Sequence, residues 1–157
     1  MGTLVEILEV SKIYDDGKMD IKTRGLTVFR ILEIINELPE KLFSGAIVNY
    51  PQNNEKGNRA LMQAVISGIR ALHKMLKVDK DFKKNEEELW SYDVAHHAGL
   101  SLAEEYELLE LMHELQREEY LKRHLAKVLP VMAEMEILKE RVKLNGHFKN
   151  LKGTDGL

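Results

Sequence analysis

SYDVAHHAGLSLAEEYELLELMHELQREEYLKRHLAKVLPVMAEME, residues 91–136, is the stretch on which the fold turns. It reads as a helix, a tight break, a second helix and then a longer one. Gly99 suits the left-handed conformation that ends the first helix. Ser101 then caps the second, and Glu104 three residues on completes a capping box. Leu108, Leu111, Met112 and Leu115 recur at helical spacing as one apolar stripe. Leu121, Leu125, Val128 and Leu129 continue the pattern on the next helix. Such helices hold only when their stripes face each other or a sheet, so this stretch is a packed subdomain.

Upstream of it, Arg59 to Lys77 is strongly amphipathic, with Leu61, Met62, Val65, Ile66, Ile69, Leu72 and Leu76 on one face. Val78 to Lys84 is a charged link holding one aromatic, Phe82. Asn85 is placed to cap a helix that opens on Glu86-Glu87-Glu88 and runs to about Ala98. Downstream, Pro130 inside helical periodicity predicts a kink or a division. The pattern resumes through Met135, Leu138 and Val142 and is expected to end at Asn145-Gly146. The tail, 147–157, is expected to be loose.

The first third has a different period. Gly2 to Tyr14 reads as a strand, with a bulge where its alternation slips near Leu8. Asp15-Asp16-Gly17 is a hairpin turn signal. Met19, Ile21 and Thr23 alternate with Asp20, Lys22 and Arg24 as a half-buried strand. Gly25 is expected to end it. Leu26 to Ile35 and Lys41 to Tyr50 follow as further strands, separated by a connection with Pro39. Residues 1–50 are thus a meander of about four antiparallel strands. Residues 51–58, PQNNEKGN, are polar and turn-rich and mark a linker. The helical lobe then covers 59–146, and the fold class is α+β.

The chain of 157 residues is long enough for one domain or two small coupled lobes, and 44% hydrophobic residues exclude a disordered chain. A formal net charge of −3, from 23 basic and 26 acidic residues, gives no electrostatic reason to expect nucleic acid or a polybasic membrane anchor. Cysteine is absent, which removes disulfides, thiolate metal sites and a Cys nucleophile. No apolar run approaches the roughly 20 residues that span a bilayer, and the N-terminus lacks the pattern of a signal peptide. A cytoplasmic protein without a cofactor is expected.

The order of an alanine helix, Gly99-Leu100-Ser101, an acidic Leu108-Leu109-Glu110 helix and Glu119-Tyr120-Leu121-Lys122-Arg123 resembles the helical half of the LON substrate-binding domain. That domain is the N-terminal domain of the ATP-dependent protease Lon, and it also occurs alone. Gly2-Thr3, Asp16-Gly17-Lys18 and Arg24-Gly25 with Val28-Phe29-Arg30 are similar to the Gly-Thr, Asp-Gly-Arg and Gly-x-x-Arg-Phe motifs of the family's barrel. Lys18 stands in place of the Arg, and Phe29-Arg30 reverses the usual order. The resemblance implies a partial, antiparallel PUA-like β-barrel lobe followed by a four-helix bundle lobe. It also implies non-catalytic binding of unfolded or partly folded polypeptides. The family's domain has strands ahead of the one that opens here, so an exposed sheet edge is expected: either the chain is a truncated product or fragment, or the edge is covered by a second copy or a partner. In the protease the last helix leads toward the ATPase ring.

The residues offer little catalytic chemistry. No Walker A motif occurs, and nothing resembles the Ser-Lys dyad of Lon's peptidase domain. Glu110 and His113 form one Glu-x-x-His pair, where a carboxylate-bridged metal site needs two pairs and further Glu residues. His96 and His97 lie near a helix end, which favours capping over metal ligation. His124 and His147 show no companions at ligand spacing. Glu104, Glu105 and Glu107 read as a solvated helix face. The candidate substrate-binding residues are Phe43, Tyr50, Phe82, Trp90 and Tyr92, aromatics that flank the lobe junction in sequence and suit a groove for apolar peptides. Sealing one lobe onto the other is the equal alternative. Polypeptides are the expected partners, by edge addition or by groove docking, with homo-oligomerisation through the sheet edge and neither nucleic acid nor membrane. An RNA-binding or scaffold module on a PUA-like barrel is the competing reading, and a metal hydrolase on the helices is the third.

Overall fold

The structure, a computed structural model, describes the backbone of residues 1–151 and the side chains of residues 1–144. Its class is α+β. The chain divides into two units: a sheet unit of Met1–Asn54 with Leu109–Met112, and a helical unit of Glu55–Leu108 with the chain from His113 onward.

The sheet unit carries β1 (Gly2–Ile13), β2 (Met19–Ile35) and β3 (Gly45–Asn49), all antiparallel in the order β1-β2-β3. The sheet has three strands rather than about four because the second and third expected strands are one. Gly25 does not end β2; it pairs with Val5, and the extra residue Leu26 is absorbed as a bulge between the Leu4 and Val5 pairings. The long β2 pairs with β1 as far as Phe29 and with β3 from Arg30 onward. The hairpin turn forms as its residues dictate. Gly17 adopts φ 84°, its amide donates to the Tyr14 carbonyl, and Asp16 accepts from the Lys18 amide. A short segment, Leu109–Met112, belongs to this unit, and there the Asn54 amide donates to the Met112 carbonyl at 2.7 Å.

The helical unit contains α1 (Arg59–Leu76), α2 (Ser91–Val94), α3 (Leu102–Glu110) up to Leu108, and α4 (Glu114–Leu151). Asn58 caps α1 by accepting from the Ala60 and Leu61 amides, and Lys77 closes it in the left-handed conformation. Met62, Val65, Ile66, Ile69 and Leu72 are buried, as the apolar face required; Leu76 at the end of α1 is exposed. The principal packing is α1 against α4. There Gly68 permits close approach, since a Cβ on it would lie 3.0 Å from Leu125 Cδ1.

Three helical expectations need correction. The helix from Asn85 to Ala98 is broken into a 3-10 turn at Glu86–Glu88, an extended Leu89-Trp90, α2 and a second 3-10 turn at Ala95–His97. The acidic triplet is engaged sideways, with Glu86 on Arg70 and Glu87 on Arg59 of α1. The stripe from Leu108 to Leu115 is not continuous either: α3 ends at Glu110, and Leu111 and Met112 leave with the sheet unit. Finally, α4 does not end at Asn145-Gly146 but runs to Leu151, and Pro130 lies inside it without dividing it. The tail assigned to 147–157 thus begins inside a helix, and its residues 152–157 lie outside the described part of the chain. No helix among the described residues is long and apolar enough to cross a membrane.

Gly99 at φ 72° ends the turn before α3, and the capping box is complete. The Ser101 hydroxyl accepts from the Glu104 amide at 3.4 Å, while the Glu104 carboxylate accepts from the Ser101 amide at 2.8 Å and hydroxyl at 2.7 Å. Those bonds from Ser101, with a smaller contribution from His124, hold the Glu104 carboxyl below the usual carboxylate range. Ser101→Ala is expected to destabilise the helical unit by about 1 kcal/mol, read by urea unfolding. A carboxyl with a depressed folded pKa stabilises above its unfolded value and loses that contribution as pH falls through the folded one. The effect of Ser101→Ala should therefore shrink in acid.

Candidate functional site

Two constellations stand out, one in each unit. In the helical unit the first turns of α4 carry Glu114, Arg117 and Glu118 inward, where all three are buried. The spacing explains this, since residues three and four apart share a helix face. Glu114 accepts from the Ser91 amide and hydroxyl, each at 2.7 Å. Arg117 donates from Nε to the Ser91 hydroxyl oxygen at 2.9 Å and from its terminal nitrogen to Glu114 at 2.8 Å. Its guanidinium lies 4.3 Å from the centre of the Tyr92 ring. Glu118 accepts from the Asn58 amide at 2.7 Å. Burial pushes the Glu118 carboxyl up, opposed by that amide. Gly57 is required beside it, because a Cβ there would overlap Glu118 Oε1 and sit 3.0 Å from Glu114 Cγ.

This network ties the N-cap of α1, the start of α2 and the start of α4 together. Ser91 is 0% exposed, and its hydroxyl donates to the Glu114 carboxylate and accepts from the Arg117 guanidinium. Its chemistry is structural. Nothing in the sequence reading singled it out; the only local signal was three charged residues at inward helical positions.

A second buried group, His124, contacts Glu104 Oε1 through Nδ1 at 3.1 Å and the Ala98 carbonyl through Nε2 at 3.2 Å. It joins α4 to the capped start of α3 by hydrogen bonds. Nearby, burial and the Glu107 carboxylate push the Tyr120 hydroxyl up to about 12, so it donates as a neutral phenol at 2.7 Å. Glu110 ends α3 and His113 lies beyond the break, so they do not form a pair on one helix. Among the described residues no group of three or more His, Asp or Glu is placed to hold a metal ion. The His147 side chain lies outside the described residues.

The sheet unit holds the other constellation, and it is made by bulges. Residues opposite one another in an antiparallel pair share a face. Glu6 faces Arg24, Glu9 faces Lys22 and Lys12 faces Asp20, with ion pairs of 2.6 Å and 2.7 Å for the first two. Ile7 faces Thr23, Val10 faces Ile21 and Ile13 faces Met19. The sequence of β1 does not alternate, yet extra residues at Leu8 and Ser11 reset the pleat twice. One face of the hairpin becomes charged and self-neutralised, the other apolar. The apolar face is open: Ile7 is 59% exposed, Ile13 70% and Met19 57%.

The model of the ATP-dependent protease La (LON) substrate-binding domain family matches residues 1–127. The chain belongs to this family. The LON match takes in the whole sheet unit, α1 to α3 and the inward-facing start of α4. A search of curated proteins finds no match. Of the five candidate aromatics of this LON domain, two lie on the sheet unit and three on the helical unit. Phe43 and Tyr50 are exposed on the sheet unit, and Tyr50 meets Phe29 edge-on with ring centres 6.2 Å apart. Phe82, Trp90 and Tyr92 belong to the helical unit. Phe82 is half-buried against the His97 ring at 5.3 Å, Tyr92 packs on Arg117 by one face, and Tyr92 and Trp90 are both exposed.

Proposed function

We propose that this LON domain binds unfolded or partly folded polypeptides without catalysing a reaction on them. The observation that carries the reading is the open apolar face of the β1–β2 hairpin, in a family described as substrate-binding. Exposed apolar surface of this extent marks an interaction site. Val5, Ile7, Val10, Ile13, Met19 and Ile21 would receive apolar side chains of an extended segment. Phe43 and Tyr50, exposed on the same unit, are the aromatics suited to add contacts to this face; Phe82, Trp90 and Tyr92 belong to the helical unit. The bulges in β1 favour docking on the face over addition to that edge, because a bulged edge presents a broken ladder. The balanced ion pairs on the opposite face favour a polypeptide over RNA. The same reading takes the open sheet as part of a PUA-like barrel and places the protein in the cytoplasm.

The test is fluorescence anisotropy with a labelled, permanently unfolded carboxymethylated polypeptide. Ile7→Ser/Val10→Ser changes exposed side chains and should leave the fold intact. It should weaken binding at least about tenfold, since tenfold corresponds to about 1.4 kcal/mol and a buried aliphatic side chain contributes about 1.5–3 kcal/mol. Binding unchanged in this variant moves the surface elsewhere. No binding by the native chain, or tighter binding of an RNA oligonucleotide, removes the reading.

A further inference from the structure

Residues 78–84 form neither helix nor strand, yet both ends of the segment are fixed. The Val78 amide donates to the His73 carbonyl at 3.0 Å, and the Lys84 ammonium holds both oxygens of Asp93, at 2.8 Å and 2.9 Å. Midway, the Phe82 ring abuts His97. The segment is thereby held against the 3-10 turn Ala95–His97 and α2. Together they line a half-open cavity of about 600 Å³, wholly within the helical unit.

The charges in this cavity are unequal. Asp93 is committed to Lys84 and to the Trp90 amide, and Asp81 accepts from the Phe82 amide. Lys80 and Lys83 make no ion pair among the described residues. Two imidazoles line the cavity, His96 and His97, with ring centres 4.0 Å apart, and His73 of α1 lies behind them, 5.1 Å from His97. Burial first, then His96, His73, Lys80 and Lys83, disfavour a proton on His97. The groups facing His97 are therefore His73 from α1, Lys80, Lys83, Lys84 and Asp81 from the segment, Tyr92 and Asp93 from α2, and its neighbour His96. With the imidazoles neutral, the lining carries one net positive charge, and each protonated imidazole adds another.

We propose that this cavity binds a compact phosphate group, with Lys80, Lys83, His96 and His97 as its donors. A phosphate offers three strong acceptor oxygens, which suits several convergent donors, and lysine serves it as a point charge. The bound anion reverses the local field, so His97 takes up a proton as it binds. Affinity consequently rises as pH falls from about 8 to 6, through the ordinary range of imidazole.

The experiment uses the full chain, with binding followed by calorimetry and the imidazoles by NMR. Sulfate is the first probe, because it remains a dianion across this range and its pH dependence reports the imidazoles alone. Inorganic phosphate and phosphoserine follow, to separate a free anion from a monoester. Sulfate should bind about threefold more tightly at pH 6 than at pH 8 if one imidazole shifts by about one unit, because the full tenfold is reached only below the free imidazole's lowered midpoint. The His97 titration midpoint should rise on saturation. Lys80→Ala/Lys83→Ala, at two exposed positions, should lose binding at least about tenfold, while Lys139→Ala/Lys143→Ala, elsewhere on the helical unit, should not. Equal binding of phosphate and phosphoserine supports a site for the phosphate group itself, and preference for phosphoserine supports a monoester site. Equal losses in the two double variants, an unmoved His97 midpoint, or no saturable binding at pH 6 overturns the proposal.

Discussion

Replacing Arg117 by Ala is expected to destabilise the helical unit by about 3–5 kcal/mol, the range found when one partner of a buried ion pair is removed. Arg117 and Glu114 are each 1% exposed, so water cannot replace the lost guanidinium without opening the packing. In the variant the Glu114 carboxylate keeps only the Ser91 amide and hydroxyl as partners. The Tyr92 ring also loses the planar group that covers it. Thermal unfolding of the full chain measures the effect, each kcal/mol being worth roughly 4–8 °C in a unit of this size. A second variant separates charge from shape. Arg117→Ala/Glu114→Gln removes the stranded charge and keeps an acceptor for Ser91, so it should recover part of the loss. A single variant within about 1 kcal/mol of the parent would mean that the network is solvated and that Ser91 is not held by Glu114.

The same network explains why part of this fold could not be read from the sequence. Ser91 meets Glu114 across 23 positions, and that pairing fixes where α2 begins. Asn85 followed by three glutamates has the composition of a helix start, and nothing near it in sequence marks the break before Ser91. Features set by near neighbours were legible: the Asp16-Gly17 turn, the slip at Leu8, the face of α1, and the Ser101–Glu104 box. Features set at a distance were not. Gly25 looked like a stop, but its pairing with Val5 carries β2 through it. Leu111 and Met112 kept helical spacing with Leu108, yet they belong to the sheet unit. Asn145-Gly146 has the composition of a helix end, and α4 continues past it.

The candidate site was legible to a lesser degree. Aromatic content near the lobe junction directed attention to Phe43, Tyr50, Phe82, Trp90 and Tyr92. The apolar hairpin face escaped notice because no periodicity in β1 announces it. Val5, Ile7, Val10 and Ile13 share a face only after two bulges; the slip near Leu8 shows in β1 itself, but the second bulge, at Ser11, is visible only once the partner strand is known.

Leu121→Ala should be the second severe change, with an expected loss of about 2–5 kcal/mol for a large-to-small substitution in a core. Leu121 is 0% exposed and lies on α4 one turn beyond Arg117 and one turn before Leu125, itself 2% exposed. It separates the polar network from the apolar contact between α1 and α4. A cavity at this point removes packing and brings water toward Glu114 and Arg117, whose mutual attraction is strong only while water is excluded. Leu115 on the same helix supplies the comparison. The sequence pattern put both leucines in the apolar stripes, but Leu115 is 46% exposed. Leu115→Ala should therefore change stability by no more than about 0.5 kcal/mol. Leu121→Met, which conserves volume, should cost less than about 1.5 kcal/mol. Urea unfolding of the three variants reads the rotation of α4 directly. Equal losses at 115 and 121 would mean that α4 presents a different face to α1, and the inward placement of Glu114, Arg117 and Glu118 would fall with it.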